Sequence, residues 1–182
     1  MGRVPGPAPW RPAVRVRRRA PYPGTRRGGR RRGGAAAPAE RHQQRGGGGK
    51  LSAIDTLLEQ ARTRLHRVDP GQAAAVQRAG GLLVDIRYAA LRARDGTIPG
   101  ALIVERNELE WRLDPTGDHR APEATGHGLH IVVICNEGYA SSLAAVSLHQ
   151  LGLHRATDLT GGFQAWRAAG RPVSPGTAPA TG

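Results

Sequence analysis

Four consecutive β-branched residues, Ile131, Val132, Val133 and Ile134, run into the chain's single cysteine, Cys135, and then into Asn136-Glu137-Gly138-Tyr139-Ala140-Ser141-Ser142. No other stretch limits the fold as much. A run that is apolar at every position predicts a short strand buried on both faces, as in a parallel sheet. Ala144, Leu148 and Leu151 follow at helical spacing and Gly152 supplies a stop, so the segment reads as strand, tight loop, helix. Cys135 is thereby placed at the carboxyl end of a buried strand, the edge at which open α/β sheets bind ligands. A loop turning into a helix at that edge aims free backbone N–H groups at one point, which favours an anion.

The flanking sequence supplies the partners such a strand needs. Ser52 with Asp55 forms a helix-start signature, and Ile54, Leu57, Leu58, Ala61 and Leu65 recur at helical intervals, predicting one amphipathic helix. Asp69-Pro70 opens a second helix that Gly80-Gly81 ends. Leu82 to Ile86 is a short strand, followed by a polar, Arg-rich segment to Asp95-Gly96, a turn at Ile98-Pro99-Gly100, and a strand at Ala101 to Val104. Asn107 to Leu113 is expected to be helical, and Asp114 to Gly128 to be a polar loop. Ala156 to Leu159 is a last strand, Gly161-Gly162 a turn, and Phe163 to Ala169 a helix carrying a core Trp166. Strands alternating with helices predict an α/β fold with a mostly parallel sheet covered on both faces.

Charge divides the 182 residues unevenly. The first 50 hold 14 of the 27 Lys and Arg but only one acid, Glu40, of the 14 in the chain. All of the net +13 therefore lies there, and the overall basicity says nothing about the folded part. Residues 1–50 are mostly Arg, Gly, Pro and Ala and are expected to be disordered. Three readings compete for them. One is a basic tail for nucleic acid or an anionic surface, although only Trp10 and Tyr22 accompany the arginines for base stacking. The others are a solvated tail without a partner, and GC-rich sequence upstream of the true start that is never translated. The remaining 132 residues are enough for a core without metal or disulfide support. Residues 51–79 are assigned as a helical extension, 80–172 as the domain proper, and 173–182 as a flexible tail.

Arg17-Arg18-Arg19 is followed by Ala20-Pro21-Tyr22-Pro23-Gly24 rather than by an apolar stretch, Gly6 stands where an acylation start wants Ser or Thr, and no apolar run is long enough to span a membrane. A cytoplasmic protein without a membrane partner is expected. A single cysteine suits a reducing compartment or a thiol kept for chemistry. His119, His127 and His130 lack metal-ligand spacing, so they read as solvated histidines rather than a metal site; no cofactor is expected.

Four motifs in order carry a resemblance: Val84-Asp85-Ile86-Arg87, Ile98-Pro99-Gly100-Ala101, Val133-Ile134-Cys135 with Gly138 three residues on, and Gly161-Gly162-Phe163-Gln164-Ala165-Trp166. Together they resemble a single rhodanese domain over about Gly80 to Arg171. The resemblance implies a sulfurtransferase in which Cys135 takes the outer sulfur of a donor such as thiosulfate, holds it as a persulfide and passes it to cyanide or another thiophilic acceptor. Asn136, Glu137, Gly138, Tyr139, Ala140 and Ser141 would form the anion-binding loop, with Ser141 and Ser142 capping the helix. Such chemistry suits a thiolate stabilised by loop amides and a helix amino end.

The loop departs from the family's usual pattern in charge. Ala140 stands where arginine is common and Asn136 where a second cation is frequent, while Glu137 adds a negative charge. A dianion such as thiosulfate should then bind poorly, and a less charged persulfide should serve better. Arg106 could replace the missing charge or pair with Glu105, Glu108 or Glu110 on the surface. Asp85 and Arg87 are expected to fix loops. A cysteine phosphatase would need an arginine fork at the loop's end, where Ser141 and Ser142 stand. The alternative from another class is a catalytically weak module of the same fold that binds a protein partner or senses oxidants through Cys135.

Overall fold

The computed structural model describes residues 51–176. The expected disorder of residues 1–50 lies outside the described residues, as does the end of the tail beyond 176. Four parallel strands form the sheet: β1 (Leu82–Asp85), β2 (Leu102–Ile103), β3 (Ile131–Ile134) and β4 (Ala156–Asp158), in the order β2-β1-β3-β4. Val84 lies opposite both Leu102 and Val133, and Val133 opposite Asp158, so one line of register crosses the sheet. All four residues of β3 are buried.

The alternation along β3 divides the core. Ile131, Val133 and Cys135 pack with Leu109, Leu113, Ala144 and Leu148 on one face, whereas Val132 and Ile134 pack with Ala73, Leu159, Phe163 and Trp166 on the other. The first face is covered by α4 (Leu109–Leu113) and α5 (Ala140–His149), the second by α2 (Pro70–Arg78) and α6 (Gly162–Ala168). The α/β reading thus holds, with helices on both faces of a parallel sheet.

Helix α1 (Ala53–Thr63) begins with the expected capping box between Ser52 and Asp55, and α2 has another between Asp69 and Gln72. The amphipathic stripe of α1 is only partly used. Leu58 and Ala61 are buried against the domain, but Ile54 and Leu57 remain exposed, because α1 packs mainly on α5 and that one neighbour covers a narrow face.

Three local features differ from the sequence reading. The Arg-rich segment after β1 contains a helix, α3 (Ala89–Asp95), whose half-buried Leu91 is its one large aliphatic residue and whose Arg92 is buried on Glu105. Periodicity could not reveal it. The segment from Asn107 starts as a 3₁₀ turn at Arg106–Glu108 before α4. Ser174, expected in a loose tail, exchanges two backbone hydrogen bonds with Thr97 and so belongs to the fold.

Candidate active site

Cys135 follows β3 directly, and its sulfur is held from inside the loop. The Gly138 amide donates to Cys135 Sγ at 3.1 Å, and Ser141 Oγ lies 3.2 Å from the same sulfur. Gly138 adopts φ +78°, which an L side chain resists, and a Cβ there would press within 2.7 Å of the Gly161 nitrogen. Gly162 is confined in the same way: a Cβ would collide with the Cys135 carbonyl oxygen. The close approach lets the first amides of α6 fix the loop, Phe163 donating to the Cys135 carbonyl at 2.9 Å and Gln164 to that of Asn136 at 3.1 Å. The Gly-Gly-Phe-Gln motif thus holds the cysteine loop from below.

A cleft of about 300 Å³ opens above the sulfur, lined by Cys135, Asn136, Glu137, Tyr139 and Ala140 from the loop and by residues facing it across the sheet edge. Of the loop amides among the described residues, only that of Gly138 reaches the sulfur in this arrangement. Gly138 and Ser141 touch it from within, not from the cleft. Asn136 is steadied by Gln164, whose amide donates to it, and itself donates to the exposed Glu137.

Ser141 and Ser142 do not cap α5. They lie in its first turn, fully buried, and both hydroxyls donate to Asp158, at 3.1 and 2.7 Å. The expectation of capping fails because α5 already begins at Ala140, which places both side chains against β4 instead of beside the helix's free amides.

Two cations line the cleft, both from outside the loop: Arg87 and Arg106. Arg87 is buried, paired with Asp85 at 2.7 Å, donating to the Gly96 carbonyl and stacked 3.5 Å above the Phe163 ring. Its Nη1 has no hydrogen-bond partner. Asp85 therefore lies behind the cleft wall and fixes Arg87. Arg106 lines the cleft and pairs with Glu110 at 3.0 Å, the surface pairing that is the second of its two readings. Burial pushes the Glu110 carboxyl up, but the Ser147 hydroxyl, a backbone amide and Arg106 outweigh that and hold it below the ordinary carboxylate range. Among the described residues no group of three or more His, Cys, Asp or Glu is arranged to hold a metal ion.

Sequence reasoning missed the groups behind the loop. Arg62 of α1 donates to the Gly138 carbonyl at 2.8 Å and lies 5.4 Å from the Tyr139 ring centre. Arg67 donates to that same carbonyl at 3.1 Å and grips Asp158 through two nitrogens, at 2.8 and 3.0 Å. Residues just after α1 run beside β4: the Val68 N–H donates to the Asp158 carbonyl, the Val68 carbonyl accepts from the Thr160 N–H, and the Thr157 hydroxyl donates to the His66 carbonyl. A signal for this existed. An aspartate inside the short apolar strand Ala156-Thr157-Asp158-Leu159 requires a cation or several donors, since an unpaired buried charge is very costly.

The Rhodanese-like domain profile matches residues 69–169. The chain is 33% identical over 105 residues to the thiosulfate sulfurtransferase GlpE of Stutzerimonas stutzeri (strain A1501), covering 58% of this chain and 87% of that one. It is 30% identical over 106 residues to the thiosulfate sulfurtransferase GlpE of Pseudomonas savastanoi pv. phaseolicola, covering 58% and 91% respectively. Among solved structures it is similar, with a TM-score of 0.61 and 30% identity, to a protein of unknown function from Rhodopseudomonas palustris CGA009, a "Possible Tyrosine Phosphatase", over 69% of this chain and 97% of that one. No helix of the described residues is long and apolar enough to cross a membrane. With its parallel sheet, its cysteine loop and this match over more than half its length, the chain belongs to the rhodanese-like domain family.

Proposed function

We propose that the protein is a sulfurtransferase that carries sulfur as a persulfide on Cys135 and draws it from an organic persulfide in preference to thiosulfate. The observation that carries this reading is the placement of Cys135 Sγ at the floor of an accessible cleft, with the Gly138 N–H aimed at it. A donor amide at that position stabilises the thiolate that attacks and that is returned when the sulfur leaves. The Cys135 thiolate attacks the outer sulfur of the donor, the new S–S bond forms as the donor's own S–S bond breaks, and the donor leaves as a thiolate. A thiophilic acceptor then takes the outer sulfur and returns Cys135 as thiolate. No cofactor enters either step.

Support for the donor class comes from the cleft walls. Ile86, Leu91, Tyr88, Tyr139 and Ala140 offer mostly apolar surface, and the two cations each already serve a carboxylate. A dianion must compete for those cations, whereas an organic persulfide meets apolar contact. The same loop argues against phosphate ester chemistry, since no arginine ends it to grip phosphate through two nitrogens.

Steady-state kinetics with both donors and cyanide as acceptor test the reading. A larger kcat/KM for the persulfide, abolished by Cys135→Ser, is the expected result. Equal or better use of thiosulfate refutes the donor assignment, and unchanged turnover in Cys135→Ser refutes the carrier role. Inactivity with both donors turns the reading to a binding or redox-sensing module.

A further inference from the structure

Ser141 has one hydroxyl proton and two neighbours that want it. Its Oγ lies 3.2 Å from Cys135 Sγ and 3.1 Å from Asp158 Oδ2. While the sulfur is a thiol, the S–H can donate to Ser141 and Ser141 can donate to Asp158, so every polar group is satisfied. Once the thiol proton has gone to solvent, the Gly138 N–H is the thiolate's one donor among the described residues unless Ser141 turns toward it and supplies a second. Asp158 tolerates that turn only because other donors remain: Ser142 at 2.7 Å on the same oxygen, and Arg67 bridging both oxygens. A fully buried carboxylate without them would hold the Ser141 proton firmly.

We propose that Asp158 is a positioning residue for the nucleophile, acting through Ser141, and that Arg67 and Ser142 set how easily Ser141 is released to the thiolate. Arg67 precedes residues 69–169, so a working part of the site lies outside the span of the family profile. Arg62 and Arg67 also draw the Gly138 carbonyl toward the α1 side. In a trans peptide the following N–H points the opposite way, so the Tyr139 amide is directed away from α1. This proposal rests on Cys135 being the reacting atom, but it concerns proton placement and holds whichever sulfur donor is used.

The pH dependence of Cys135 alkylation by iodoacetamide tests it without any sulfur transfer. Sγ attacks the carbon, iodide leaves and the thiol proton goes to solvent, so the rate follows the thiolate fraction. The Ser142 hydroxyl bonds to Asp158 and not to the sulfur, yet Ser142→Ala should raise the midpoint of the profile by about half a pH unit, because Asp158 then clings to Ser141. The same substitution in a Ser141→Ala background should add no shift. Asp158→Asn, if it folds, should lower the midpoint by about one unit by removing the competing charge. A Ser142→Ala midpoint equal to that of the unaltered protein, or an equal shift in both backgrounds, overturns the proposal. If Asp158→Asn does not fold, the two serine backgrounds decide alone. Absence of persulfide formation with these shifts intact would refute the sulfurtransferase reading and leave this one standing.

Discussion

Arg67 and Asp158 form a two-nitrogen, two-oxygen ion pair at 2.8 and 3.0 Å in which the carboxylate is completely buried and the guanidinium side chain is 19% exposed. The pair joins the segment after α1 to the strand beside the cysteine loop. It makes the amino-terminal extension part of the domain's support.

Removing Arg67 strands a buried carboxylate. Arg67→Met is expected to lower unfolding stability by about 3 kcal/mol, the scale found when one partner of a buried pair is lost. Chemical denaturation checks this, and a chain beginning at Asp69 should lose at least as much. A loss under about 1 kcal/mol would mean that Ser141 and Ser142 alone satisfy Asp158.

Asp85 and Arg87 form a second buried pair, with both side chains fully covered. Arg87→Leu should destabilise by about 3–5 kcal/mol, while the double change Asp85→Leu with Arg87→Leu should cost clearly less, because it leaves no stranded charge. A double variant no more stable than the single one would contradict a mainly structural role.

Ala140 is exposed at the cleft wall, so a longer side chain fits there without burial. Ala140→Arg should raise kcat/KM for thiosulfate about tenfold, equivalent to ~1.4 kcal/mol, and change persulfide use little. No gain with thiosulfate would show that missing loop charge does not limit the reaction.

Glu110 anchors Arg106 at the cleft, and its carboxyl is held below its ordinary value of 4.5 in the folded protein. A group depressed in this way contributes stability that is complete above that ordinary value and disappears as pH falls through the folded one. Urea midpoints should therefore drop from pH 6 toward pH 3.5, and Glu110→Gln should reduce that drop. An identical drop in the variant would remove Glu110 from the account.

Much of this architecture is legible in the residues. Ile131 to Ile134, apolar at every position, announces a two-face-buried strand, and the cysteine after it marks the sheet edge where the cleft opens. The glycines are legible as well, since Gly138 and Gly162 sit where a Cβ cannot. The helix at Ala89–Asp95 is not, because it is held by the buried Arg92 and its ion pair with Glu105 more than by an apolar stripe. Arg62 and Arg67 were equally hidden. Their partners lie more than 70 residues away in sequence, and an arginine near a helix end reads as solvated until the sheet brings Asp158 beside it.

Intact mass of the protein after incubation with a low-molecular-weight persulfide, separately with thiosulfate, and then with cyanide, tests the central claim most directly. One added sulfur on Cys135 is expected from the persulfide and less from thiosulfate, removed in both cases by cyanide and absent in Cys135→Ser. No added sulfur from either donor, with the thiol still open to alkylation, would contradict it.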